Sequence, residues 1–148
     1  MDNVFKLEFA KGGRFKAKLL EELAPKTCQV FLDSLPFSTS LLHGIFSGHM
    51  FYGTEPLEMN EVENPVVLGV QAGDIFINTN ANRSLFECKV IPPRFVITYS
   101  SSVVFWNWAG SMPSNYFAKI IDGDIEELFR IGQRIKWEGK EDLTCTLL

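Results

Sequence analysis

A mainly β fold is predicted by three features of this chain: apolar and polar residues that alternate, glycine turns that separate short apolar runs, and a heavy aromatic load. Val4 to Phe9 sets Phe5, Leu7 and Phe9 against Lys6 and Glu8, the period of two that marks a half-buried strand. Lys11-Gly12-Gly13 supplies a turn, because glycine accepts positive φ without steric cost. Phe15, Ala17 and Leu19 then alternate with Lys16 and Lys18, which completes a hairpin. Aromatic residues favour strands, and the chain carries 13 Phe, 3 Trp and 3 Tyr in 148 residues.

The period changes after Pro25. Cys28, Phe31, Leu32 and Leu35 are spaced as one face of an α-helix, with Pro25 suited to its first position and Pro36 barring continuation. Ala24 is a poor cap, so this helix depends on packing its apolar face. An amphipathic helix after a hairpin is expected to plug one mouth of a barrel.

From Ser38 to Tyr52 the chain reads as two short strands broken at Ser47-Gly48. Thr54 to Pro65, with Glu55, Glu58, Glu61 and Glu63, reads as an exposed excursion. Strands are predicted at Val66–Val70, Asp74–Thr79, Leu85–Val90, Phe95–Tyr99, Val103–Trp108 and Asn115–Ile121, with Asn78–Ser84 a polar loop and Ser100–Ser102 a turn. Asp124 caps a short helix that turns Leu128, Phe129 and Ile131 inward, and Arg134–Trp137 and Leu143–Leu147 close the chain. That makes about eight to ten short strands and two helices; a closed sheet is the economical solution because closure removes exposed edges, with a sandwich as the alternative.

The length is that of one ordinary domain, residues 1–148, and an apolar fraction of 46% supports a core without metals or disulfides. A net charge of −4 with scattered basic residues argues against nucleic acid as a partner. The three cysteines, Cys28, Cys88 and Cys145, lie far apart in apolar runs and are expected as buried free thiols. No apolar run approaches the ~20 residues of a membrane span, no signal-like segment opens the chain, and a soluble cytoplasmic protein without membrane contact is expected.

Several segments, in order, resemble the cyclophilin family. They are Gly13-Arg14-Phe15-Lys16-Ala17-Lys18-Leu19-Leu20, Ala24-Pro25-Lys26-Thr27-Cys28-Gln29-Val30-Phe31, His43-Gly44-Ile45-Phe46-Ser47-Gly48-His49-Met50, Gln71-Ala72-Gly73-Asp74-Ile75 and Tyr116-Phe117-Ala118-Lys119-Ile120-Ile121-Asp122-Gly123. More narrowly the chain is similar to small bacterial cyclophilin-like proteins of unknown function. The resemblance implies a closed eight-stranded β-barrel capped by two helices.

It also implies where a groove lies. Cyclophilins carry an Arg directly after the His of the run, and here that position is Gly44, which offers neither charge nor donor fork. His49 stands where the family has Phe, Met50 keeps the Met, and Tyr52 stands near the usual Gln. The reading is a remodelled groove without efficient prolyl isomerase activity. It would bind a small molecule or short peptide through His43, Phe46, His49, Met50, Tyr52, Trp106 and Asn115, with no catalytic residue, cofactor or metal assigned.

Other readings stay open. His43 can be a hydrogen-bonded structural histidine and His49 a rim residue. A zinc set of two His plus Glu55 or Glu58 matches no spacing motif. Trp106 and Trp108 fall on one strand face, as a pocket wall or as plain packing. Asn78 and Asn80 offer amides to a polar ligand or serve turns. A weak isomerase or other His-assisted enzyme is the second function class. A homodimer built on surplus aromatics is the third.

Overall fold

A computed structural model describes residues 2–45, 47–78, 93–107 and 110–148, with only the backbone at 107 and 110. The opening hairpin forms as the alternation requires: β1 (Val4–Phe9) and β2 (Arg14–Leu19) pair antiparallel, and their apolar members are buried. The turn needs its glycines, since Gly12 and Gly13 sit at φ 114° and 118°. Helix α1 (Pro25–Ser34) follows, then β3 (Phe37–His43) and β4 (Gly48–Pro56). The short β5 (Pro65–Val66) precedes β6 (Asp74–Asn78) and the long β7 (Arg94–Val103). A small ribbon, β8 (Trp106–Asn107) and β9 (Gly110–Ser111), leads into β10 (Ser114–Asp122), α2 (Ile125–Glu138) and β11 (Glu141–Leu147).

The main sheet runs β2-β1-β11-β3-β4-β7-β6-β10, and β10 pairs back onto β2, so eight antiparallel strands close a barrel. Closure leaves no free edge in this set, which is the physical gain expected of it. The two helices cap the barrel. α1 drives Phe31 into the interior, where its ring stacks on Phe95 at 5.5 Å and meets Phe5 at 4.8 Å and Phe117 at 5.2 Å. α2 buries Leu128, Ile131, Gly132 and Ile135.

Several sequence expectations change. The excursion after Thr54 is only partly exposed: β4 continues to Pro56, and Leu57 and Met59 are buried. Glu63 turns inward, and its carboxylate accepts from the N–H groups of Lys26 (3.1 Å) and Thr27 (2.7 Å) and from the Thr27 hydroxyl (2.7 Å). A distant carboxylate thus caps the helix that Ala24 does not cap, and it meets the positive end of the helix dipole. Of the expected strand Val66–Val70 only Pro65–Val66 pairs, beside a single bridge at Leu68. Ser100–Ser102 lies within β7 rather than in a turn, and Arg134–Trp137 belongs to α2, which is longer than expected. Leu85–Val90, most of Asn78–Ser84, Cys88 and Trp108 lie outside the described residues. Cys28 and Cys145 are free and buried.

Two attachments hold α2 on the barrel. Arg134 grips Glu141 at the start of β11 through Nε (2.8 Å) and Nη2 (2.6 Å), and also donates to the Gly12 carbonyl (2.9 Å). Gly132 is the second. A Cβ built there would overlap the Tyr99 ring, so only glycine lets the helix approach this closely.

Two mutations test these readings. Gly132→Ala should destabilise by about 1–3 kcal/mol through overpacking, against the ~1 kcal/mol gained in helix propensity, as urea unfolding would show. Glu63→Ala should lower stability by about 1–2 kcal/mol, the range for loss of a helix cap.

Candidate functional site

The strands around β4 place the predicted residues on two sides of one sheet. Successive strand residues face opposite ways. His49 and Phe51 therefore point toward the barrel interior and α2, while Met50 and Tyr52 point to the outer face, where they join Val66, Val70, Phe76, Val96, Val103, Phe105 and Tyr116. His43 pairs across from Phe51 and shares the inner side.

The inner group gathers on Tyr99. Its ring stacks on His49 (5.0 Å between centroids) and on Phe51 (5.9 Å), and meets His43 (5.7 Å) and Phe129 (5.2 Å) more steeply. His43 Nε2 lies 2.6 Å from the Tyr99 hydroxyl, which also receives Gln133 Nε2 at 3.1 Å. Chemistry orders this chain. The Trp137 indole N–H can only donate, and it donates to Gln133 Oε1 at 3.3 Å, so the Gln133 amide nitrogen faces Tyr99. The Tyr99 hydroxyl accepts from Gln133 and donates to His43 Nε2, which leaves the His43 proton on Nδ1. That nitrogen is buried and has no partner. Burial, Lys136 and His49 together lower the His43 pKa from 6.5 to about 4, so the imidazole is neutral at pH 7. Burial also raises the Tyr99 hydroxyl above its ordinary value, opposed by the Gln133 hydrogen bond.

A bulge sets the geometry of His49. Between the pairs Gly48↔Val103 and Met50↔Thr98, His49 alone faces Tyr99–Ser102 of β7. Extra residues at a barrel rim re-aim side chains. Here they bring the Ser100 hydroxyl to 2.8 Å from His49 Nδ1. The Ser102 N–H donates to the same Ser100 Oγ at 3.0 Å, which fixes the hydroxyl against His49 Nδ1.

On the outer face, the space beside Gly44 is filled. A Cβ added there would strike Sδ of the buried Met50. Arg94, at the first position of β7, lays its guanidinium 5.4 Å from the Tyr52 ring centroid. Its Nε is buried without an acceptor, an arrangement that costs about 1–3 kcal/mol if nothing satisfies it.

A profile described as "Protein of unknown function (DUF3830)" matches residues 9–147. The chain belongs to the DUF3830 family. No curated protein matches it.

Solved structures of similar shape include McbB in complex with tryptophan (TM-score 0.69, 15% identity), of which this DUF3830 chain spans 44% while 96% of its own length is covered. Others are a cyclophilin-type peptidyl-prolyl cis-trans isomerase of Cryptosporidium parvum (0.63, 15% identity, covering 100% of this chain and 98% of that one) and a hypothetical protein of Archaeoglobus fulgidus (0.59, 15%, covering 99% and 95%). At these identities the likeness is one of fold. The cyclophilin-like barrel read from the sequence is the fold of this DUF3830 protein.

The seven residues expected to line one groove do not meet. His43 and His49 share the Tyr99 cluster; Met50 and Tyr52 lie behind it on the outer face. Trp106 is 43% exposed on β8. Asn115 is fully buried at the α1 end, where its amide donates to Glu61 O and Thr27 Oγ1 and accepts from the Glu63 N–H. It clamps the capping loop. Phe46 lies outside the described residues. Among the described residues no three metal-ligating side chains come together.

Sequence reasoning missed Tyr99, Gln133 and Arg94 and set Ser100 aside. Only Arg94 left a signal, a lone charge between the Pro92-Pro93 break and the apolar run Phe95–Tyr99.

The His43 pKa carries a pH prediction. With the folded pKa depressed, the unfolded chain binds more protons between pH 6.5 and 4, so this contribution to stability is complete above about 6.5 and is lost as pH falls toward 4. Urea midpoints should therefore fall less steeply across that window in His43→Gln than in the unmutated protein; equal slopes would reject the assignment.

Proposed function

We propose that this DUF3830 protein is a binding domain that takes a small molecule or short peptide on the surface built by the His43–Tyr52 segment, and that it lacks efficient prolyl isomerase activity. The observation that carries this reading is Gly44. Isomerisation must relieve an amide barrier of about 18–20 kcal/mol, and the resemblance assigns the polarising charge to the residue after His43. That residue is glycine, and Met50 fills the space into which a side chain would leave it. Charge and room are both gone.

Within the segment, His49 is the better placed ligand group. His43 gives its Nε2 to Tyr99, whereas His49 uses Nδ1 on Ser100 and leaves Nε2 for a ligand at a partly exposed rim beside Phe129. Much of the aromatic load that recommended a homodimer lies in the core, including Phe5, Phe15, Phe31, Phe51, Phe95 and Phe117, while Trp106, Phe129 and Trp137 are exposed. No helix of the described residues is long and apolar enough to cross a membrane.

The test has two parts. A proline-containing tetrapeptide incubated with protein at high concentration should isomerise at the uncatalysed rate; a protein-dependent rate would refute the lost-activity reading. For binding, a panel of N-acetyl dipeptides should perturb the His49 imidazole resonances, and His49→Phe should abolish the affinity found. Unchanged affinity in that variant would remove His49 from the site.

A further inference from the structure

Arg94 carries a buried donor that no group among the described residues answers. Its backbone N–H donates to Asn78 Oδ1 at 2.6 Å, and its guanidinium rests over Tyr52. Among the described residues no carboxylate pairs with that guanidinium and no acceptor hydrogen-bonds it, while Nε is buried with no partner. Arg134, by contrast, is answered by both oxygens of Glu141 and by a carbonyl as well.

A guanidinium carries five donors and cannot shed its proton to escape burial. Buried donors are nearly always paired, so an orphan calls for a cause. The surroundings identify one. Tyr52 holds its ring 5.4 Å from the guanidinium carbon, a cation–π contact that uses none of the N–H donors. Asn78 pairs with Arg94 across β6 and β7, and because its Oδ1 is taken by the Arg94 N–H, its amide nitrogen is left to donate. Both polar groups of the cluster therefore present donors. Beside them Val96 and Phe76, both fully buried, form with Tyr116 a second apolar cluster against which Tyr52 packs.

We infer that Arg94, backed by Tyr52 and flanked by Asn78, is a binding site for an oxyanion, specifically the carboxylate of a small molecule or of a short peptide's C-terminus. The planar fork of the guanidinium matches a carboxylate through two parallel N–H···O bonds. This goes beyond the binding reading above, which rests its ligand on His49. The site lies on the outer side of the sheet whereas His49 faces inward, so the two are separable by experiment.

The experiment follows the Arg Nε–H resonances of the 15N-labelled full chain during titration with N-acetyl-alanyl-alanine, with its C-terminal amide, and with inorganic phosphate. The free acid should shift the Arg94 resonance and the amide should not. Arg94→Lys should weaken binding of the acid about 10- to 100-fold, the worth of a charged hydrogen bond, and Arg94→Gln should remove it. The comparison of acid with amide uses the unmutated protein and needs no variant to fold. Equal affinity for acid and amide, undiminished binding by a folded Arg94→Gln, or an Arg94 resonance that none of the probes moves would each overturn the site. Binding of phosphate in place of the acid would overturn the carboxylate assignment. Shifts confined to His49 would overturn this site while leaving the function proposed above in place.

Discussion

The contact between Gly132 and Tyr99 organises the side of the barrel that α2 covers. A helix can lie this close to an aromatic ring only where it offers bare backbone, and Gly132 is that residue. Once α2 is seated, Gln133 comes within hydrogen-bond reach of the Tyr99 hydroxyl and Phe129 closes over the ring beside His49. Arg134 then reaches Glu141 and the Gly12 carbonyl, which ties the helix to β11 and to the first turn. Glycine inside a helix sacrifices about 1 kcal/mol of propensity, and here the packing of Tyr99 outweighs it. The His43 tautomer, the seat of α2 and the rim at His49 all depend on that one approach.

The bulge at Tyr99–Ser102 is the second constraint. A regular ladder would carry Ser100 past His49; the extra residues of β7 bring its hydroxyl onto the imidazole. The same strand begins with Arg94 on the outer face. β7 therefore supplies polar groups to both sides of the sheet, and β4 divides its own residues between them. What looked like one groove in a linear reading is two surfaces, because a strand has two faces and a short segment populates both.

How far the chain was legible follows from the range of the interactions involved. The hairpin, α1 with its Pro25 start, β6, β10 and the Asp124 cap rest on local patterns, and they stand where the patterns put them. Gly44 was legible as a glycine where the resemblance expects an arginine, because a single position carries it. Glu63 was misread as solvated: its partners, the α1 N–H groups, are 36 and 37 residues away in sequence. Asn115 offered an amide that no local pattern could assign, and the fold spends it on holding Glu63 in place.

By itself, the sequence determined a mainly β chain with two helices, since periodicity and turn chemistry are local properties, and its resemblance to cyclophilins gave the barrel. The tertiary structure alone decided which polar groups meet. Barrel closure, a rim bulge and a helix seated on glycine brought His43 to Tyr99 and His49 to Ser100. They also left Arg94 over Tyr52 without an acceptor. These pairings join residues 42 or more positions apart, across strands whose register no local pattern specifies.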